Sequence, residues 1–515
     1  MDPQPLDDQR AVHGDGVRRV AGGTAVSLVG GGLSFLLTTG YQIVIARQLG
    51  AAGFGLLVLA LAVATFVAEA SDLGLDYGVL RFGGIARGSG EHGRLRALVG
   101  RGLLGAFAAG SVSAGLLIAS ASAVARAFDK AGLLPVLVPL ALAIPCMATT
   151  SVARASLRAL GRAVPVVVST SLIPPVVRLA AGLAAVTLAS GPRPVAIAYA
   201  VTEAVVMAAS LAMVWRLLPA AGERGTAAGL YRFSLPMVFN RLILYSNNQT
   251  EVLILGALAP AGPVGVFGVA KRMSMLVGAL LTSVQVLFNP IAADLHHRER
   301  KAELGELFKT CTRWLFTLGL PVCLVEVLFA PDIVRIFGPS FASGAPALAI
   351  LAVGQLVNVG TGMVAQLLAM AGRARLSIID SVAFLGGSVA LDLLLIPRWG
   401  LMGAAVANAT AVVLVNLLRL WQVHAYLGLS AYDRRFLRPA VAGLAAGAIA
   451  WLVPLSALGY LAELAARTTL LCLVYGGALV ALGVEPADRD LAGAALARLR
   501  RRPRRAQPAR AASRN

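Results

Sequence analysis

One apolar stretch of the sequence, 233–257, carries six polar side chains that would share one face of a helix. At about 100° per residue they fall within an arc of about 160°. These six residues are Asn240, Arg241, Tyr245, Asn247, Asn248 and Glu251. If the stretch spans a membrane, the stripe cannot face lipid tails, because unpaired polar groups are costly there. Asparagine and tyrosine suit sugar hydroxyls and arginine suits phosphate, so we expect the stripe to line a cavity. Polar packing between helices is the alternative.

Arg178 is a second candidate for chemistry inside an apolar stretch. It follows Pro174 and Pro175, which interrupt a helix and free backbone carbonyls. A buried guanidinium at this point can bind a diphosphate through two parallel hydrogen bonds. The alternative is an ion pair with an acid of another helix, for which Glu203 and Glu251 are the candidates.

The adjacent cations Lys271 and Arg272 complete the set of intramembrane bases. Their side chains point about 100° apart on a helix, so we expect at least one to face the cavity while the other snorkels or pairs with an acid. The predicted substrate-binding residues are therefore Arg178, Arg241, Tyr245, Asn247, Asn248, Lys271 and Arg272. The acids that we expect to couple substrate movement to a proton or another ion are Glu203 and Glu251.

The motifs of enzymes and metal proteins are missing from the sequence. The five histidines and four cysteines form no spacing typical of a metal site. There is no phosphate-binding loop, dinucleotide fingerprint or nucleophile motif. We therefore expect no catalytic residue, no metal and no cofactor, and no direct use of ATP by this chain.

Composition decides the class of fold. Of the 515 residues 58% are hydrophobic and 14% are charged, against about 25% charged in soluble domains. The apolar residues come in runs of roughly 20, the length of a membrane-spanning helix. We predict an all-α polytopic membrane protein with about fourteen spans: 22–46, 54–84, 98–120, 133–153, 164–189, 194–217, 233–257, 264–292, 310–329, 345–370, 376–396, 400–423, 437–457 and 464–484.

The distribution of basic residues predicts the orientation of these spans. With both termini in the cytoplasm, the inner segments hold 34 of the 45 lysines and arginines and the outer segments hold seven. Such a bias is typical of a multi-pass protein of the cytoplasmic membrane. It also argues against nucleic acid as the partner of the net charge of +20. The basic tail 485–515 is a candidate for contact with anionic lipids.

The sequence contains an internal repeat. Residues 42–60 align with 251–270 at an offset of 209 to 210, and 157–163 align with 368–374 at an offset of 211. Because one period holds six spans, the two halves share one orientation in the membrane and form parallel lobes. The predicted parts are an N-terminal tail 1–21, a six-helix lobe 22–218, a linker 219–232, a second six-helix lobe 233–423, two additional helices in 437–484, and the tail 485–515.

Several segments match a known pattern in order and spacing. They read ARQLGAAGFGLLVLA and DLGLDYGVLRF in the first lobe, then YRFSLPMVFNRL, ILGALAPAGPVGVFGVAKRM and LLLIPRWGLMGAAVANA in the second. With these motifs the chain resembles the polysaccharide-biosynthesis flippases of the MOP exporter superfamily, which also holds MATE multidrug exporters and lipid II flippases. The resemblance covers nearly the whole chain, from about residue 18 to residue 484.

The resemblance implies a flippase that exports an undecaprenyl-diphosphate-linked oligosaccharide for cell-surface polysaccharide, by alternating access through a cationic cavity between the lobes. The expected partners are this substrate and membrane lipids, with a polymerase or glycosyltransferases of the same pathway as further candidates. One alternative is a cation-coupled exporter of the MATE type, in which acids would dominate the cavity. Another is a membrane glycan polymerase or ligase, which would need a longer outer loop than the roughly 15 residues available.

Overall fold

The computed structural model describes the backbone of residues 6–220, 225–453 and 459–483. Side chains are described from Gly30 onward, apart from positions 163, 282–283, 286–287 and 374. The predicted basic tail 485–515 therefore lies outside the described residues, as do residues 1–5 and part of the predicted linker. The described chain consists of α-helices, short 3-10 turns and one π-helical turn, and it contains no β-strand.

The helices follow one another with short connections. The first half of the chain contains α1 Leu6–Ser71, α2 Leu75–Gly88, α3 His92–Ala127, α4 Leu134–Ala141, α5 Ile144–Ala159, α6 Ala163–Val167, α7 Ile173–Leu188, α8 Pro192–Leu217 and α9 Leu230–Ser234. The second half contains α10 Met237–Leu258, α11 Ala261–His297, α12 Lys301–Leu328, α13 Ala330–Arg335, α14 Ala345–Gly360, α15 Val364–Met370, α16 Ala374–Leu427, α17 Leu437–Leu452 and α18 Tyr460–Ala481. The all-α membrane class is confirmed.

Helix occupies each of the fourteen predicted segments, but not every helix is long and apolar enough to be counted as a span. In the described part of the chain nine helical segments pass that test, or ten if the bent pair α4 and α5 forms one span. Two of the nine, Gly30–Ser71 and Arg375–Leu427, have 42 and 53 residues. A span needs about 20. Each is interrupted by a glycine with positive φ, Gly50 (64°) and Gly400 (54°), a conformation that other residues rarely adopt. Each therefore has the length of two spans, and fourteen stays a prediction.

Equivalent positions of the two aligned segments meet where α1 crosses α11. A Cβ added to Gly55 would lie 1.8 Å from the carbonyl oxygen of Ala261 and 2.8 Å from the nitrogen of Gly265. Gly55 and Gly265 are equivalent positions of the two aligned segments, as are Val58 and Gly268, which also lie side by side. Equivalent residues that meet each other lie on the axis relating two parallel units. Only glycine allows the two backbones to come this close.

The buried apolar residues form three clusters that differ in what they connect. One cluster joins both repeats and includes Phe54 and Leu57 of α1 together with Phe267 of α11. It lies toward the end of the helices at which the predicted outer segments meet, which we call the sealed end. At the arginine-rich end, where the predicted inner segments lie, each repeat has a separate cluster, one around Leu98 and the other around Phe308. The two repeats are therefore joined by apolar packing at the sealed end and are stabilised separately at the arginine-rich end.

Residues Arg434 onward form a second compact unit. Its two described helices, α17 and α18, fall within the predicted segment 437–484 and pack against each other. Small residues of α17, including Ala442 and Ala446, are buried in this unit. Arg438 donates a hydrogen bond to the carbonyl oxygen of Gly483, 3.1 Å away.

Candidate functional site

The larger polar cavity, of about 780 Å³, lies among α1, α2, α5, α7, α8 and α10. Its wall carries four arginines and three acids, and we call it the arginine cavity. These residues are Arg154, Arg158, Arg178, Arg241, Glu69, Asp76 and Glu203. The predicted residues Tyr245 and Asn248 also line it. A cavity of this size is typical of ligand sites.

Arg241 of α10 is held by carboxylates of α1 and α2. It forms ion pairs with Glu69, with Asp72 (2.8 Å) and with Asp76 (2.7 Å). It also donates to the hydroxyl of Ser151, 3.0 Å away. The turn between α1 and α2 places Asp72, because the backbone N–H of Gly74 donates to its carboxylate at 2.7 Å. In this conformation Arg241 links the second repeat to the first, and its predicted contact with substrate stays a prediction.

Arg178 forms an ion pair with Glu203, which the sequence offered as the alternative to substrate binding. Its guanidinium donates to the carboxylate of Glu203 and to the hydroxyl of Tyr199, the latter at 3.2 Å, and it lies 4.6 Å from the centre of the Tyr199 ring. Both partners belong to α8, so this pair joins neighbouring helices of one repeat. The side chain of Arg178 is 26% exposed and still lines the cavity, so a ligand can reach it.

Arg154 and Arg158 lie between two predicted spans, on the predicted inner side, and both belong to the arginine cavity. Helix α5 extends to Ala159, so Ser151, Arg154 and Arg158 follow one another at spacings of three and four residues on its cavity face. Among the described residues neither arginine forms an ion pair with an acid. The spacing of these three residues in the sequence is that of one helix face. Both arginines were missed because the apolar span was predicted to end at residue 153.

A freed backbone carbonyl positions Arg154. In the π-helical turn Val168–Leu172 the N–H of Ile173 donates to Val168, and the next residue, Pro174, has no N–H. The carbonyl oxygen of Ser169 is therefore available, and Arg154 donates to it at 2.9 Å. The two prolines do free a carbonyl, as expected, but Arg154 rather than Arg178 uses it.

The second cavity, of about 270 Å³, lies among α10, α11, α14 and α16. Its wall is rich in side-chain amides, and we call it the amide cavity. The amides are Asn247, Asn248, Gln355, Asn358, Asn408 and Asn416. Leu244 and Asn248 line both cavities, so α10 is their common wall.

Lys271 lines the amide cavity and is neutralised there. It forms an ion pair with Glu251 at 2.8 Å, and Glu251 also accepts a hydrogen bond from Asn408. The carboxylate of Glu251 is fully buried, so Lys271 and Asn408 separate it from the cavity. Arg272 lines neither cavity. Its guanidinium lies 5.0 Å from the centre of the Phe35 ring, so of the two adjacent cations Lys271 is the one that faces a cavity.

Polar contacts close the sealed end between the repeats. Arg47 donates to the carbonyl oxygen of Ile336 at 2.7 Å, and the N–H of Ala51 donates to the hydroxyl of Ser340 at 3.1 Å. Lys130, in the connection after α3, donates to the carbonyl oxygen of Gly256, and partial burial lowers its pKa. These contacts join the two repeats at the sealed end in the conformation described.

Long apolar helices that surround two polar cavities define a helical membrane protein with room for a polar ligand. The family model described as "Polysaccharide biosynthesis protein" matches residues 44–343. The chain belongs to this polysaccharide biosynthesis protein family, which confirms the resemblance noted in the sequence.

Two archaeal sequences are similar to part of the chain. "Probable flippase AglR" of Haloferax volcanii is 27% identical over 201 residues, which are 38% of this chain and 42% of that protein. An uncharacterized membrane protein of Methanocaldococcus jannaschii is 25% identical over 142 residues, 27% of this chain and 28% of that protein. The chain thus matches less than half the length of either relative.

Solved structures share the fold over most of the chain. The lipid II flippase MurJ in an inward closed conformation has a TM-score of 0.72 at 12% identity and covers 88% of this chain and 98% of its own. A MATE transporter of the MOP superfamily in an inward-facing conformation has a TM-score of 0.65 at 15% identity, with 79% of this chain and 98% of its own covered. An outward-facing MATE structure has a TM-score of 0.56 at 14% identity, with 79% and 95% covered.

Proposed function

We propose that the protein is a flippase that moves a lipid-linked oligosaccharide, on a polyprenyl diphosphate such as undecaprenyl diphosphate, from the cytoplasmic to the external face of the cytoplasmic membrane. The observation that carries this proposal is the pair Arg154 and Arg158, which face a large polar cavity and form no ion pair with an acid among the described residues. A polar headgroup needs such a path because hydrocarbon cannot solvate it, while its lipid tail stays in the bilayer.

The arginine cavity suits a diphosphate better than a neutral ligand. A guanidinium presents several fixed donors and binds phosphate oxygens in pairs, and it keeps its charge in a low-dielectric site. Arg154 is already oriented by the carbonyl oxygen of Ser169. Arg158 is exposed to the cavity one helical turn away. We propose that these two arginines bind the diphosphate first and that Arg178, which is 26% exposed, contributes from the far wall.

The coupling acids predicted from the sequence, Glu203 and Glu251, have a physical role available in this mechanism. Each forms an ion pair with a cation of the cavity walls, Arg178 or Lys271. Protonation of either acid would break that pair and release the cation toward substrate. We propose coupling of this kind, in which proton binding and substrate binding are linked through the same arginine or lysine.

The acids around Arg241 favour a second candidate, a cation-coupled exporter of the MATE type. Glu69, Asp72 and Asp76 outnumber the one arginine that they contact. A site with excess negative charge would attract an organic cation rather than a diphosphate. The two candidates make opposite predictions about the charge of the ligand.

The test is a flipping assay in liposomes with the full-length chain. A fluorescent polyprenyl-diphosphate oligosaccharide is followed by its loss of access to an impermeant quencher. We expect flipping by the unmodified protein and a loss of about tenfold or more in rate for R154Q combined with R158Q, since a hydrogen bond to a charged group contributes about 1.5–3 kcal/mol.

Arg162→Gln is the matched control, because Arg162 is exposed, lies four residues from Arg158 and lines neither cavity. It should flip at the unmodified rate. Absence of flipping in every variant, together with accumulation of a cationic dye, would replace the flippase by the MATE-type exporter. If the R154Q/R158Q variant flips at the rate of the unmodified protein, the proposed flippase function stands and the proposed diphosphate site is refuted.

A further inference from the structure

We propose that the amide cavity binds the uncharged sugar residues of the transported molecule, while the arginine cavity binds its diphosphate. This inference rests on the proposed flippase function and adds a second site to it. The two cavities share Leu244 and Asn248 in their walls, so they lie next to each other on either side of α10. The amide cavity has a volume of about 270 Å³, which is the volume of roughly nine molecules of liquid water.

The wall chemistry matches a sugar. Each hydroxyl of a sugar both donates and accepts hydrogen bonds, and a side-chain amide does the same with its NH₂ group and its oxygen. Six amides surround the cavity, and Phe384 adds an aromatic ring that suits the apolar C–H face of a sugar ring. The side-chain oxygen of Asn247 is buried without a hydrogen-bond partner among the described residues, which leaves an acceptor at the wall.

The amides are held in place by one another. Asn358 donates to Gln355 at 3.2 Å, and Asn416 donates to Asn358 at 3.1 Å. Asn416 in turn accepts a hydrogen bond from Thr361 at 3.3 Å. The chain connects α14 with α16 and fixes the orientation of its members, so a ligand meets donors and acceptors that are already positioned.

The cations of the amide cavity are compensated, which separates its chemistry from that of the arginine cavity. Lys271 is paired with Glu251, and Arg419 lies 3.6 Å from Asp380, whose other oxygen accepts from Gln422 at 2.8 Å. A diphosphate would gain little from this site, because the positive charges are already satisfied by carboxylates. A neutral glycan does not compete with these carboxylates, because it binds through hydrogen bonds and not through charge.

The internal repeat supports the same division. Arg158 is aligned with Ala369 in the segments 157–163 and 368–374, so the second repeat has no cation at the position that faces the arginine cavity in the first. The cations that the second repeat does present, Lys271 and Arg419, are paired with acids, and the rest of the polar wall is made of neutral amides from α10, α14 and α16. The two cavities thus differ in the chemistry that they offer a ligand.

Two variants test the amide cavity by different means, so a defect specific to one of them does not affect the other. Asn358→Ala removes a member of the amide chain. Val412→Phe fills the cavity from its wall and removes no polar group. Val413→Phe is the matched control for the second, because Val413 lies next in the chain and faces a different, apolar groove between α12, α14 and α16. Binding to the full-length protein in detergent is measured with two probes, a polyprenyl diphosphate and the same lipid carrying a neutral oligosaccharide.

We expect both site variants to weaken binding of the glycosylated lipid about tenfold and to leave binding of the bare lipid diphosphate unchanged. R154Q combined with R158Q should weaken both probes, and Val413→Phe neither. Equal loss for both probes, or unchanged binding of the glycosylated lipid in Val412→Phe, would overturn the glycan site. If the unmodified protein binds neither probe, the proposed function fails instead, so the two failures are distinguishable.

Discussion

At the scale of single residues, the carboxylates within reach decide what each intramembrane cation does. Arg241 contacts three acids, Arg178 contacts Glu203, and Lys271 contacts Glu251. Such pairs hold helices together, because an isolated charge in a low-dielectric environment is very costly. Arg154 satisfies part of its hydrogen bonding with a carbonyl instead. A ligand can therefore bind the Arg154 guanidinium without first displacing a carboxylate from an ion pair.

Replacing Arg241 by methionine should destabilise the protein strongly. Three carboxylates would remain close together without their counter-charge, and removing one partner of a buried ion pair costs about 3–5 kcal/mol. We expect a clearly lower midpoint of thermal unfolding in detergent, followed by tryptophan fluorescence, with partial recovery when Asp72→Asn is added. Arg298→Met is the control, because Arg298 pairs with Asp294 on an exposed surface and should change stability by less than about 1 kcal/mol. An unchanged midpoint for Arg241→Met would contradict the structural role.

The sequence allowed the polar face of α10 to be predicted but not the partners of its members. A helical period identifies residues that share a face, so Tyr245, Asn247 and Asn248 were found among the cavity residues. Which acid approaches which base depends on distances between helices, and no local pattern gives these. Arg154 was missed because a window of hydropathy ends a span at the first charges, although the helix continues.

At the scale of elements, the crossing of α1 and α11 controls the sealed end. The repeat alignment placed Gly55 opposite Gly265 in sequence, and the structure brings the same two residues together in space. The direct contact of backbones leaves no room for a side chain. Separation of these helices is therefore the motion that would open this end, and the glycines set how tightly it closes.

Gly55→Val should hold the sealed end open. Its Cβ would lie 1.8 Å from the carbonyl oxygen of Ala261, so the helices must move apart. The measurement is labelling of Leu57→Cys by an impermeant maleimide, in a variant without the four native cysteines, because Leu57 is only 2% exposed. We expect fast labelling with Gly55→Val and slow labelling without it. Gly262→Val is the control, since its Cβ would meet nothing within 4 Å. Slow labelling in the Gly55→Val variant would show that the crossing tolerates a side chain.

At the scale of the first compact unit, the two predicted repeats surround cavities of different chemistry. They share one apolar cluster at the sealed end, and each has its own cluster at the arginine-rich end. A unit joined at one end and divided at the other can exchange which end is closed only when the contacts at the joined end separate. These contacts are the shared apolar cluster and the polar contacts of Arg47 and Ser340. The composition and the repeat predicted two lobes, but the end at which they meet depends on packing that a sequence does not display.

Cross-linking the sealed end should stop transport without preventing binding. The backbone N–H of Ala51 donates to the hydroxyl of Ser340 across the two repeats, so Ala51→Cys with Ser340→Cys places cysteines on two facing segments. Under oxidation we expect the flipping rate to fall about tenfold or more, because the proposed alternating access requires this end to open. A reductant should restore it. Binding of a polyprenyl diphosphate in detergent should stay unchanged, since neither Ala51 nor Ser340 lines the arginine cavity. Each single cysteine variant serves as control and should flip under oxidation. Full transport by the cross-linked protein would mean that the substrate leaves by a route that does not pass between the repeats.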